Sequence, residues 1–152
     1  MKAVLQQLNQ MVGSYAGEGI NHEGQPFIGH FELVSLFNGR GFQVKFSATG
    51  KDGTVYHNEE STIAPSIQEI LTLWNFNTNT PGLVPHELRR TNAKPGTLAS
   101  LVFGFGTPDD KDGFREEVTL DIWDRTNLSY TYSWGLPGGE FLERSGVRMS
   151  KQ

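Results

Sequence analysis

Apolar residues recur along this chain at two different periods. Near the start, Val4, Leu5, Leu8, Met11 and Val12 follow helical spacing, with Gln6, Gln7 and Gln10 between them. This predicts a short amphipathic helix stopped at Gly13. Beyond Gly13 the period falls to two. Phe42, Val44 and Phe46 alternate with Gln43 and Lys45. Val118, Leu120 and Ile122 alternate with Glu117, Thr119 and Asp121, and Leu128, Tyr130, Tyr132 and Trp134 with Asn127, Ser129, Thr131 and Ser133. Such alternation marks half-buried strands. Ten strands are predicted, over 14–21, 27–38, 41–49, 54–63, 69–76, 86–91, 98–106, 114–124, 127–135 and 140–150. Asn38-Gly39, Asp52-Gly53 and Asp112-Gly113 supply hairpin turns, and Pro137-Gly138-Gly139 a further break.

No helix-length segment separates the strands, so a parallel βαβ arrangement is excluded. Short connections pair successive strands antiparallel, as a meander. One face is polar, the other apolar, and no layer of helices is available to cover it. The sheet must therefore close on itself or fold into a sandwich, and ten up-and-down strands with one N-terminal helix favour closure. The predicted fold is all-β: a ten-stranded antiparallel up-and-down barrel, one domain over residues 1–152, with the N-terminal helix plugging one end. Eight strands make a barrel that side chains just fill, or that holds one small ligand. Ten strands enclose more, so a cavity is expected.

Composition narrows the function. Glycine is high, 18 of 152 residues or about 12%, against a typical ~7%, and aromatics are 11%; both suit strands and turns. A net charge of −4 argues against disorder and against a nucleic-acid binder working by bulk charge. The absence of cysteine excludes disulfides, thiolate nucleophiles, zinc–cysteine sites and iron–sulfur clusters. No stretch reaches 18 apolar residues, so no membrane span is expected. The opening MKAVLQQLNQMVG lacks the apolar region and cleavage site of a secretory signal, so a cytoplasmic location is expected.

The first strand reads Gly13-Ser14-Tyr15-Ala16-Gly17-Glu18-Gly19. It resembles the G-x-W-x-G-x-G pattern that opens the lipocalin-like calycin barrels, above all the ten-stranded nitrobindin-like and fatty-acid-binding-protein-like families, with Tyr15 where tryptophan is usual. The ending Gly138-Gly139-Glu140-Phe141-Leu142-Glu143-Arg144 resembles the last hairpin of that group. In physical terms, an aromatic ring enters the closed end and glycines let the strand bend and cross close to its neighbours. The resemblance implies a soluble barrel with a pocket for a small apolar or amphipathic ligand. It also implies a basic residue of the last strand, Arg144 or Arg148, packed on Tyr15. Nitrobindin-like barrels bind haem through a histidine of their C-terminal strands. This chain has no histidine after His86, which leaves only Tyr130 or Tyr132 there as iron ligands. No cofactor is expected.

Among the side chains with chemistry, His57-Asn58-Glu59 places an imidazole and a carboxylate on one strand face. They read either as an acid–base or metal pair lining the cavity or as an exposed face at the rim. The loop Asp109–Gly113 is not a calcium loop: with Gly113 as sixth position, Pro108 falls first and Thr119 twelfth. Gly39-Arg40-Gly41 and Gly104-Phe105-Gly106 are not phosphate loops, because no helix follows. No metal site is expected. Phe31, Phe46, His57, Trp74, Arg90, Tyr130, Tyr132 and Trp134 are the candidate ligand-lining residues. Arg90, Glu116 and Glu143 share faces with apolar neighbours. They are therefore paired, wet, or on the outer wall through a register slip of one residue. In fatty-acid-binding-type barrels an inward arginine holds a ligand carboxylate, which implies Arg90 or Arg148 for that part.

The expected function is reversible binding of a small hydrophobic or amphipathic molecule, with carboxylates among the candidates. The alternatives are an isomerase or hydrolase using His57, Glu59 and a cavity tyrosine, a haem protein, or a homodimer with Leu71, Leu73 and Leu142 as outward apolar residues.

Overall fold

The computed structural model describes residues 1–152. The amphipathic segment forms α1 (Lys2–Gln10), with Val4 and Leu8 buried and Met11 buried just past its end. Ten strands follow: β1 (Gly13–Ile20), β2 (Pro26–Leu36), β3 (Gly41–Thr49), β4 (Val55–Pro65), β5 (Leu71–Asn75), β6 (Val84–Arg90), β7 (Ala99–Phe105), β8 (Arg115–Ile122), β9 (Asn127–Gly135) and β10 (Leu142–Lys151). Each pairs antiparallel with its neighbours in sequence, and β1 pairs with β10, which closes the barrel. Closure leaves no sheet edge unpaired.

The glycines of β1 make that closure possible. A Cβ on Gly17 would lie 2.0 Å from the Arg148 carbonyl oxygen of β10, and one on Gly19 would lie 2.5 Å from the Phe27 ring. Only residues without a side chain let the strands approach this closely. The β2–β3 connection depends on positive φ at Phe37, Asn38 and Gly39, which the Asn-Gly pair tolerates.

The two ends of the barrel differ. At one end α1 lays Val4 and Leu8 into the same apolar cluster as Tyr15, Leu33, Phe42 and Leu128. Tyr15 donates its hydroxyl to the Met11 carbonyl at 2.8 Å and meets Phe31 edge-on at 6.2 Å. That end is closed. The other end, ringed by the end of β1 and the starts of β2, β4 and β10, has no such plug.

The basic residue of β10 beside Tyr15 is Lys151, its Nζ 5.8 Å from the ring centroid. Arg144 stacks on Trp134 at 4.5 Å and Arg148 on Trp123 at 4.3 Å. The expectation for Arg144 or Arg148 is thus corrected: Lys151 is the residue that pairs with Tyr15 in register.

Two further strand faces differ from expectation. In β5, Leu71, Leu73 and Asn75 point inward and Trp74 lies on the outer wall, flanked by Thr62 and Pro85. The segment LTLWN carries apolar residues on both parities, so alternation alone leaves its face open; the inward bonds of Asn75 settle it. Leu71 and Leu73 are therefore core residues, while Leu142 is exposed. In β6 a bulge between Leu88 and Arg90 shifts the register against β7. One extra residue reverses the face. Arg90 consequently sits outside, paired with Glu117 at 2.8 Å, with its side chain 56% exposed.

Candidate functional site

Halfway down the barrel, β4 turns Glu59 inward opposite Phe46 of β3. Glu59 is 3% exposed. A carboxylate this deep is costly unless its lone pairs are met, and three donors meet them. Tyr130 donates to Oε1 at 2.9 Å, Tyr132 to Oε2 at 2.6 Å, and Asn75 Nδ2 to Oε1 at 2.9 Å. Asn75 Nδ2 also donates to the Tyr132 hydroxyl at 2.9 Å, and Asn75 Oδ1 accepts from Asn77 Nδ2 at 2.5 Å. Tyr130 and Tyr132 are successive inward residues of β9, and Asn75 ends β5. Donors from β5, the neighbour of β4, and from β9 across the barrel thus converge on one carboxylate. Burial first, and the Glu59 charge second, push both phenols well above their ordinary range, so they stay protonated donors.

Aromatic rings enclose this network. Phe31 and Phe46 lie 5.1 and 5.0 Å from Tyr130, and Tyr130 meets Tyr132 edge-on at 5.7 Å. His57, two residues before Glu59, sits 5.7 Å from Phe46 and 5.0 Å from Tyr132. Its Nε2 is 3.5 Å from Glu59 Oε2, is buried, and makes no hydrogen bond.

A second buried pair faces the same interior. His86 of β6 is fully buried, and its Nε2 lies 2.9 Å from Oε1 of Glu116 of β8. Its Nδ1 lies 3.1 Å from the Val84 carbonyl, which only accepts, so Nδ1 carries hydrogen. The Nε2–Oε1 contact then holds one further proton between ring and carboxyl.

Above these groups, at the unplugged end, opens a cavity of about 420 Å³. Phe27, Phe46, Ala48, Tyr56, Tyr132 and Trp134 give it an apolar wall, and His57, Asn77 and Glu116 stand among its polar lining. His22 and Arg144 lie at its mouth, where both pack on Trp134. Pockets of this size, mostly apolar with a few placed polar groups, are typical ligand sites. A larger concavity of about 800 Å³ lies against the outer wall of β1–β4, among His30, Glu32, Lys45, Asn58 and Glu60. It is a solvent-facing saddle separated from the interior by the sheet. No group of three or more His, Asp or Glu side chains is placed to hold a metal ion.

Six of the eight sequence-predicted site residues come together inside. Phe31, Phe46, Tyr130 and Tyr132 are buried around Glu59, and His57 and Trp134 line the cavity. Trp74 and Arg90 are not among them. Asn75, Asn77 and the His86–Glu116 pair escaped sequence reasoning. Asn75 fell in the predicted strand 69–76, whose face alternation leaves open, and Asn77 just beyond its end. Glu116 was marked by its position on an apolar face; its partner was not.

No protein-family model and no curated protein matches the chain. Among solved structures it is similar to Rv2717c from M. tuberculosis, with a TM-score of 0.71 and 15% identity over 97% of this chain and 96% of that one. It is also similar to EF1p2_mFAP2b bound to DFHBI, with a TM-score of 0.50 and 8% identity over 97% and 98% of the two chains. At these identities the likeness is one of fold.

Proposed function

We propose that residues 1–152 act as one calycin-like binding domain that reversibly takes a small amphipathic molecule into the unplugged end of the barrel. The observation that carries this reading is the asymmetry of the interior. The α1 end is packed solid, while the opposite end keeps about 420 Å³ between aromatic walls and a polar floor. Apolar burial against Phe27, Tyr56 and Trp134 would supply most of the affinity, at roughly 25 cal/mol per Å² removed from water. The acid–base alternative is weaker, because all three donors around Glu59 are already spent in the resting barrel.

Titration with the neutral dye N-phenyl-1-naphthylamine tests the reading. One dye per chain, with enhanced and blue-shifted emission and weakened by Trp134→Ala, is the expected result. A native barrel that leaves the dye unbound would remove the proposal.

A further inference from the structure

We infer that the ligand presents an uncharged carbonyl-type acceptor to His57 Nε2–H, and that the cavity discriminates against carboxylates. This rests on the binding reading above and names the chemistry of that same site.

The tautomer of His57 follows from its neighbours. Asn79 Nδ2 lies 3.2 Å from the Tyr56 carbonyl oxygen, which can only accept, so this atom is the amide nitrogen. The same nitrogen lies 3.0 Å from His57 Nδ1. An amide N–H therefore points at Nδ1, and Nδ1 must be the bare, accepting nitrogen. The ring hydrogen is on Nε2. That Nε2 is buried and without a hydrogen-bond partner in the chain. The nearest carboxylate oxygen, Glu59 Oε2 at 3.5 Å, is beyond good hydrogen-bond length and already accepts from Tyr132. Phe46 and Tyr132 hold the ring on either side. His57, a residue of the cavity wall, thus holds a fixed, unspent donor, and an unmade buried donor is costly.

Charge selects the acceptor. The acids facing the interior are Glu59 and Glu116. The cations near it lie at the mouth, in the His86–Glu116 pair, or on the outer wall. Arg144 donates to the Trp134 and Glu140 carbonyls and stacks on Trp134. His86 is tied to Glu116 and Val84, and Arg90 is on the outer wall with Glu117. A ligand carboxylate bonded to Nε2–H would lie beside the Glu59 carboxylate, with Arg144 at the mouth and the His86–Glu116 pair carrying no net charge, which is unfavourable in a dry site. An amide, lactam or ketone oxygen accepts from Nε2–H without that penalty.

The test uses three probes with one apolar body: 1-naphthylacetamide, 1-naphthylacetate and 1-ethylnaphthalene. Each competes with N-phenyl-1-naphthylamine at a pH where the acid is ionised. The amide is expected to bind about tenfold more tightly than either other probe, as one buried hydrogen bond allows. His57→Phe should bring the amide down to the hydrocarbon and leave the hydrocarbon within about twofold. His57→Gln, which returns an N–H donor, should restore part of the preference, and circular dichroism checks that both variants are folded. Acetate binding as tightly as the amide would overturn the inference while leaving the binding reading intact. So would His57→Phe weakening all three probes alike. If neither dye nor hydrocarbon binds, the binding reading itself fails and takes this inference with it.

Discussion

At the scale of single residues, the interior is organised by Glu59. Its three donors come from β5 and β9: Asn75 reaches it from the neighbouring strand β5, and Tyr130 and Tyr132 tie β4 to β9 across the lumen. Tyr132→Phe keeps the ring and deletes two bonds, the one to Glu59 Oε2 and the one received from Asn75. Bonds to charged groups contribute about 1.5–3 kcal/mol each. Urea unfolding of Tyr132→Phe is expected to show a loss in that range, and a loss below about 0.5 kcal/mol would mean that Glu59 is satisfied without it. The same phenols set the alkaline limit of the fold. Tyr130 and Tyr132 are pushed up by burial and then by Glu59, and Tyr15 by burial and then by Asp124, from an ordinary value of 10.0. Above that pH the unfolded chain releases these protons and the folded chain keeps them. Their stabilising effect is therefore complete below about pH 10 and is lost as pH rises beyond it. Denaturant midpoints should fall steeply above about pH 10, with the phenolate absorbance of Tyr15, Tyr130 and Tyr132 appearing together with unfolding. The double variant Tyr130→Phe/Tyr132→Phe should flatten that slope. Phenolate absorbance from more than one of the four tyrosines in a still-folded chain would contradict it.

At the scale of elements, strand number and order were legible because strand-like stretches, several with clear alternation, are separated by short turn-rich breaks and by no helix-length segment. The helix was legible from five apolar positions. What was not legible was the face of the two strands whose alternation is ambiguous or broken. β5 has apolar residues on both parities, and β6 carries a bulge that no local residue announces. Trp74 and Arg90 were misplaced for those reasons. Half of the polar site was readable: His57 and Glu59 are two apart on one strand, whereas Asn75 and Tyr132 meet across 57 positions. Elements also carry their own tests. Leu8 is fully buried in the cluster that plugs the closed end, and Leu8→Ala is expected to cost about 2–5 kcal/mol in chemical unfolding. Gly17→Ala drives a methyl to 2.0 Å from the Arg148 carbonyl. It should part β1 from β10 at a cost of about 1–3 kcal/mol, and speed amide hydrogen exchange in those two strands first. Uniform exchange around the barrel would place the strain elsewhere.

At the scale of the whole molecule, the barrel separates two environments, and its three tryptophans sample both. Trp134 lines the cavity mouth under the Arg144 guanidinium. Trp74 lies on the outer wall of β5, and Trp123 lies outside at the end of β8, beneath Arg148 and bonded to Ser129. A sheet closed by β1 and β10 offers a small ligand no route between the two sides except through the unplugged end. A contact quencher can therefore distinguish inside from outside. A brominated amide such as 6-bromohexanamide quenches only rings it touches, and the cavity geometry puts it against Trp134. Saturable quenching is expected in the native chain and in Trp74→Phe and Trp123→Phe, and it should disappear in Trp134→Phe. Because Arg144 covers the Trp134 face, Arg144→Ala should leave the quenching in place or deepen it. If saturable quenching instead follows Trp74 or Trp123, the ligand lies on the outer wall. The saddle over β1–β4 or the groove beside Arg90 and Glu117 would then be the surface to pursue.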